Sequence, residues 1–438
     1  MTGTKANASM HLSHALPRSS YKTLALSALG GALEIYDFII FVFFAKVMSQ
    51  VFFPPEGPEW LHLLQTVCIF AAGYLARPLG GVLLAHWADR QGRKKVFTLS
   101  ITMMALPCFV IGLMPTYAEV GYVAPGLLLL LRIIQGIAVG GEVPSAWVFV
   151  AEHSPPSRRG LSLGILQAGL TLGYLLAALT ATALFWIFSP EEIESYVWRI
   201  PFVLGGLFGM VSLWLRQWLE ETPLFLQMAA ERAKQTAIPL KKVVSDHLSS
   251  AVPAAVLTCV LTSAVIITVV VMPLSMQQTY HLSALSSFGL TCVIIISLNI
   301  GCVVAGLWAD RVGAWSTALF YSVLLPIGIT ILSCGLVTGG VWLILACAVG
   351  GLCCGIVGVV PSIMTALFPT DVRVSGIALI YNTVYSVWAG VVPPILIALM
   401  DQNTWACAWF ALAIGLVGAI TVGLYRRRYA YGTSLVPV

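Results

Sequence analysis

His86-Trp87-Ala88-Asp89-Arg90-Gln91-Gly92-Arg93-Lys94-Lys95 is a short polar turn set between two long apolar runs. A reduced copy, Trp308-Ala309-Asp310-Arg311-Val312-Gly313, comes later, with Trp87 and Trp308 standing 221 positions apart in a chain of 438. An offset of about half the chain makes the two halves read as copies of one unit. Paired repeats of this sort are a common construction among secondary transporters.

The composition points the same way. The chain is 59% hydrophobic and 9% charged, with mean hydropathy +0.92. A soluble domain carries roughly 25% charged residues. So much apolar surface cannot hide in one water-soluble core, and a bilayer is the expected solvent. The net charge of +5 does not indicate nucleic acid as a partner, because the basic residues sit in short loops between apolar runs. All 10 cysteines lie in apolar runs without zinc or redox spacing, and read as small packing residues. The first 20 residues lack the order of a cleaved signal peptide. Arg18 and Lys22 mark the expected cytoplasmic start of the first span.

Twelve apolar segments of about 20 residues or more can cross ~30 Å of hydrocarbon as helices. They fall near 21–49, 60–86, 95–115, 122–150, 160–187 and 197–218, then 249–276, 283–308, 315–336, 340–367, 373–398 and 403–425. The fold class expected is an all-α membrane protein of two pseudo-symmetric six-helix bundles, 21–218 and 249–425. A charged linker at 219–248 separates them, and cytoplasmic tails at 1–20 and 426–438 flank them. The charges test this topology. Loops on one side carry Glu56, Glu59, Glu119, Glu191, Glu192, Glu194 and Asp401 with no Lys or Arg. Of 23 basic residues, all but Lys46, Arg77, Arg132 and Arg199 fall on the other side. That asymmetry predicts both termini in the cytoplasm. Gly164, Gly169 and Gly173 on one span, and Gly351, Gly355 and Gly358 on another, allow close helix approach, while Pro361, Pro393 and Pro394 bend late spans.

Asp89-Arg90-Gln91-Gly92-Arg93-Lys94 resembles the signature turn after the second helix of the major facilitator superfamily. Further strings resemble its metabolite:proton symporter subfamily: Ala32-Leu33-Glu34-Ile35-Tyr36-Asp37-Phe38, Arg77-Pro78-Leu79-Gly80-Gly81, Arg132-Ile133-Ile134-Gln135-Gly136 on to Gly140-Gly141-Glu142, Trp198-Arg199-Ile200-Pro201-Phe202, Leu219-Glu220-Glu221-Thr222-Pro223, and Phe368-Pro369-Thr370 with Arg373, Gly376 and Asn382. The resemblance covers nearly the whole chain and implies proton-driven uptake of a carboxylate or of proline and betaine. Two departures stand out. Ala85 occupies the usual glycine position of the turn, whereas the second copy has Gly306, and Ala314 replaces the second arginine. The inner gate is therefore expected to lean on the first copy. The proline motif of drug antiporters is absent between Gly164 and Gly173.

Ionisable groups at membrane depth are costly and mark pathways. Five stand out, all in the first half: Glu34, Asp37, Arg77, Arg132 and Glu142. At 1.5 Å per residue, Asp37 lies roughly 22 Å beyond Lys22, and Arg132 roughly 15 Å from the outer side, so both approach the midplane. Arg77 and Glu142 match at a level nearer the cytoplasm. Two opposite-charge pairs at two heights are expected. Proton coupling is assigned to Asp37, Glu34, Arg132 and Glu142: a carboxylate that gains and loses an arginine partner acts as a proton switch. The structural alternative is a set of fixed ion pairs holding helices together.

Candidate substrate contacts are Arg77, Arg132 and Gln135, the polar stripe Gln167 and Tyr174 beside Thr171, and the aromatic stripe Tyr381, Tyr385 and Trp388 with Asn382. The arginines can clamp a carboxylate and the rings can form a cation–π wall; helix packing is the competing explanation for the aromatic stripe. Asp89, Arg90, Gly92, Arg93, Asp310 and Arg311 form the candidate cytoplasmic gate, since a carboxylate at a helix end can cap a neighbouring helix.

The resulting expectation is a proton-coupled symporter of a small organic acid, working by alternating access in a bacterial inner membrane. A zwitterionic osmolyte is the alternative, and a multidrug efflux antiporter a weaker one. No enzymatic constellation is present. The proton gradient is the driving force, no cofactor is implied, and the partners are substrate, proton and lipid around a monomer.

Overall fold

Hydrocarbon offers no partner for backbone N–H and C=O groups, so each apolar run must bond internally as a helix. A computed structural model describes residues 18–81, 83–84, 93–140, 142–216, 248–369, 373–400 and 402–432, and shows helices joined by short turns with no strand among them. Among the described residues, nine helices are long and apolar enough to span a membrane, two bent pairs do so together, and Thr98–Leu113 is a shorter apolar helix. The described residues thus hold nine to eleven full-length spans, which with the shorter helix is consistent with the twelve expected. The turn at 85–92 and the linker region 217–247 lie outside the described residues.

In chain order the spans are α1 (Arg18–Phe43, continued by Ala45–Val51), α2 (Glu59–Gly81), α3 (Arg93–Leu113), α4 (Val123–Val139, resuming at Glu142–His153), α5 (Arg159–Ile187) and α6 (Arg199–Arg216). The second half holds α7 (Leu248–Val265, running on to Gln278), α8 (Ala284–Val312), α9 (Ala314–Thr338), α10 (Gly340–Cys353 and Ile356–Leu367), α11 (Arg373–Met400) and α12 (Ala406–Gly432).

Two helix pairs are bent at short breaks. The chain turns by 61° at Phe44, and by 50° between Pro190–Val197 and Arg199. The second bend has a clear cause: Pro201 has no N–H to offer the Val197 carbonyl, so the helix restarts at Arg199. No proline or glycine marks the first. In α7, the π-helical stretch Ile266–Val271 precedes Pro273, which cannot bond the Val269 carbonyl. Large apolar side chains such as Trp186, Val341, Trp342 and Leu424 are more than two-thirds exposed, as a hydrocarbon surrounding requires.

The halves meet along two helix pairs, α5 with α8 and α11 with α2. Exchanging the halves turns one pair into the other, which is the signature of a two-fold repeat. Small residues make the approach possible. A methyl on Gly306 would lie 2.5 Å from the Gly160 carbonyl oxygen, and one on Gly164 2.7 Å from that of Cys302. Inside the first half, Gly136 and Gly140 of α4 run against the backbone of α2 at Gly73 and Arg77.

Candidate functional site

Between the halves lies a cavity of about 50 Å³, room for a few waters. Its polar walls are Glu34 of α1, Tyr74 and Arg77 of α2, Gln167 and Tyr174 of α5, and Tyr381 and Tyr385 of α11. Phe38, Leu170, Leu261 and Val265 are among the apolar lining. Helical spacing explains the grouping. Tyr74 and Arg77 stand three apart, Tyr381 and Tyr385 four apart, so each pair shares one face.

Arg77 is 4% exposed and sits inside a ring of tyrosines from both halves. Its guanidinium carbon lies 4.6 Å from the ring centre of Tyr385, 5.6 Å from Tyr74 and 5.9 Å from Tyr381. Its Nε has no hydrogen-bond partner among the described residues. Tyr74 and Tyr385 are themselves in ring contact at 5.7 Å across the halves. Tyr74 is the wall that the sequence reading omitted; its place three residues before Arg77 was the available signal. Glu34 accepts a hydrogen bond from Ser212 of α6 at 3.1 Å while lining the cavity. Gln167 accepts one from the Trp147 indole at 3.0 Å.

Four residues expected at the substrate do not line this cavity. Arg132 is fully buried behind it, its guanidinium 4.0 Å from the Phe41 ring centre, with Nη1 donating to the Phe38 carbonyl and to Gln135 Oε1. Gln135 in turn donates to the Met104 carbonyl and ties α4 to α3. Arg132 and Gln135 thus face their own half, because α2 and α3 pack against this part of α4. Trp388 lies beyond the cavity, its indole donating to Ser263 at 2.8 Å. Asn382 donates across the halves to the Gly140 carbonyl, where α4 breaks.

Asp37 points away from the cavity too. Its carboxylate is fully buried, faces Gly205 and Gly209 of α6, and neither oxygen has a hydrogen-bond partner among the described residues. The glycines are why it fits: a methyl on Gly205 would lie 2.8 Å from Oδ1. Arg132 Nε and Nη2 are likewise without partners. The expected Asp37–Arg132 ion pair is therefore not formed in this state. The side chain of Glu142 lies outside the described residues, as does the Arg77–Glu142 pairing that rested on it. Arg199, one of the four misplaced basic residues, closes the end of α3 by donating to the carbonyls of Gly112 and Met114.

From the end of the bundle where the basic loops gather up to the level of the cavity, three ties among the described residues join the halves. Asp310 of α8 accepts from the backbone N–H groups of Gly160 and Leu161 at 2.7 and 2.8 Å, capping α5 from the opposite half. Arg158, at the local cap position, supplies no side-chain bond of its own. Arg373 pairs with Glu152 at 3.1 Å. Asn382 adds the third tie. These contacts come from the second copy of the turn and its surroundings. Asp89, Arg90 and Gly92 lie outside the described residues, as does the Arg93 side chain, and Arg311 is exposed. Farther along the interface, Thr171 of α5 donates to half-buried Asn299 of α8, a polar bond between the halves. At the opposite end, Phe43, Phe185 and Phe288 pack edge-on across the halves.

The profile of the Major Facilitator Superfamily matches residues 28–393. The chain is 32% identical over 432 residues to the glycine betaine/proline/ectoine/pipecolic acid transporter OusA of Dickeya dadantii, covering 93% of this chain and 83% of that protein. It is 33% identical over 421 residues to the proline/betaine transporter of Escherichia coli K12, covering 91% and 82%. The fold resembles that of the proton:xylose symporter XylE, with a TM-score of 0.73 at 16% identity over 93% of this chain and 95% of that one. It also resembles the human organic anion transporter MFSD10, with a TM-score of 0.71 at 14% identity, covering 93% and 100%. With its doubled helical bundle and these relatives, the chain is a multi-pass membrane protein belonging to the Major Facilitator Superfamily.

Proposed function

We propose that this protein carries a small zwitterionic osmolyte of the proline or betaine kind into the cell together with protons, by alternating access. One observation carries the reading: among the described lining residues, the cavity presents one acidic group, Glu34, one basic group, Arg77, and a tyrosine wall. A zwitterion matches both signs. A dicarboxylate would bring two negative charges to one arginine and face Glu34 as well. Methylated ammonium groups favour aromatic walls, which attract cations without needing donors. The relatives named as proline/betaine transporters support the same choice. The osmolyte alternative is thus preferred to the organic-acid reading.

Asp37 is the proposed coupling residue. An ionised carboxylate at this depth without hydrogen bonds is expensive, and a bound proton removes the expense. Arg132 has two nitrogens without partners among the described residues, on hand to receive the carboxylate when that proton leaves. Asp310, Arg373 and Asn382 act as the gate that shuts the cytoplasmic side. The loop charges support a cytoplasmic location for both termini, and the bacterial relatives suggest an inner membrane.

The test is uptake into proteoliposomes under an imposed pH gradient. Glycine betaine and L-proline should accumulate and compete with each other, while succinate and citrate in tenfold excess should not compete. Inhibition by the dicarboxylates and indifference to betaine would reverse the assignment.

A further inference from the structure

We infer that Arg77 is a tethered stand-in for the substrate's cation: it fills the Tyr74–Tyr381–Tyr385 cage when the halves are together and leaves it when an ammonium group enters. The inference rests on the zwitterion reading of the cavity and adds to it. The cage is built from both halves, with Tyr74 on α2 and Tyr381 and Tyr385 on α11. It assembles only when the halves come together. The cation it holds here is the protein's own, 4.6 Å from the nearest ring centre, with no hydrogen-bond partner for its Nε among the described residues. A guanidinium lying against ring faces can trade them for a carboxylate, which it binds through two parallel hydrogen bonds.

The arrangement solves a problem peculiar to symport. The loaded carrier closes over its cargo, but the unloaded carrier must also close to return. A cage of three ring faces closing on nothing loses the contact that draws the halves together. Arg77 supplies that contact on the empty stroke. On the loaded stroke an incoming ammonium takes the cage, and the displaced guanidinium is within its own side-chain length of the carboxylate on the same small molecule. One side chain then serves both strokes without holding cage and carboxylate at once.

The experiment reads closure of the substrate-free protein by hydrogen–deuterium exchange along α11, and transport by net uptake against equilibrium exchange of glycine betaine. Arg77→Ala should raise α11 exchange about tenfold, and millimolar tetramethylammonium should return it to the wild-type level by refilling the cage. Arg77→Lys, which keeps a cation, should stay within about threefold of wild type. In proteoliposomes, Arg77→Ala should slow net uptake at least fivefold more than it slows exchange, because exchange never needs the empty stroke. Should Arg77→Ala not fold, Arg77→Gln gives the same readouts with most of the bulk kept. Unchanged α11 exchange in the variant, or no response to tetramethylammonium, overturns the inference. If those arms behave as expected but wild-type protein does not move glycine betaine, the stand-in role holds and the osmolyte reading falls.

Discussion

Asp310→Ala should unlatch the cytoplasmic side, and its size can be worked out from the contacts. Asp310 is half-buried and accepts two backbone hydrogen bonds at the first turn of α5, at 2.7 and 2.8 Å. Loss of a side-chain cap costs about 1 kcal/mol. The negative charge at a helix N-terminus adds up to about 1 kcal/mol. Removing both therefore weakens closure by about 2 kcal/mol, which multiplies the open-to-closed odds by roughly 30. The neighbouring tie is weaker. Arg373 and Glu152 expose 19% and 27% of their side chains, so their pair contributes about 0.5 kcal/mol and its loss shifts the odds roughly twofold. Spin labels at Ser157 and Val312, exposed positions on opposite halves at that end, report the inter-half distance directly. The labels require a background with the native cysteines replaced. The long-distance population should grow strongly in Asp310→Ala and only slightly in Arg373→Ala. Equal shifts in the two variants, or an odds change under about threefold for Asp310→Ala, would refute the capping argument.

Two further outcomes follow from the same geometry. Asp37→Asn should abolish accumulation of substrate against its gradient while counterflow partly survives, because a permanently neutral side chain can bind and release no proton; uphill uptake by this variant would remove Asp37 from coupling. Gly306→Val should express and insert normally yet transport at under about a tenth of the wild-type rate, since its Cβ would fall 2.5 Å from the Gly160 carbonyl oxygen and hold α5 and α8 apart at the gate; retained uptake would show that this crossing need not close.

The sequence by itself determined the solvent, the span count and the doubling of the unit. Each follows from patterns that repeat along the chain: long apolar runs that must be helical in hydrocarbon, and a polar turn that recurs half a chain later. It also named Glu34, Arg77, Gln167, Tyr174, Tyr381 and Tyr385, because charges and hydroxyls inside such runs are conspicuous. The tertiary structure alone decided which of the buried polar residues meet. Arg132 and Gln135 share a helix stripe that spacing cannot aim, and the covering α2 and α3 turned it into its own half. Asn382 and Asp310 reach across to the Gly140 carbonyl and to the backbone of Gly160 and Leu161, partners invisible in sequence because any residue carries them. Depth along a helix is set by counting residues, but direction around it is set by what packs against it, and that depends on every other helix at once.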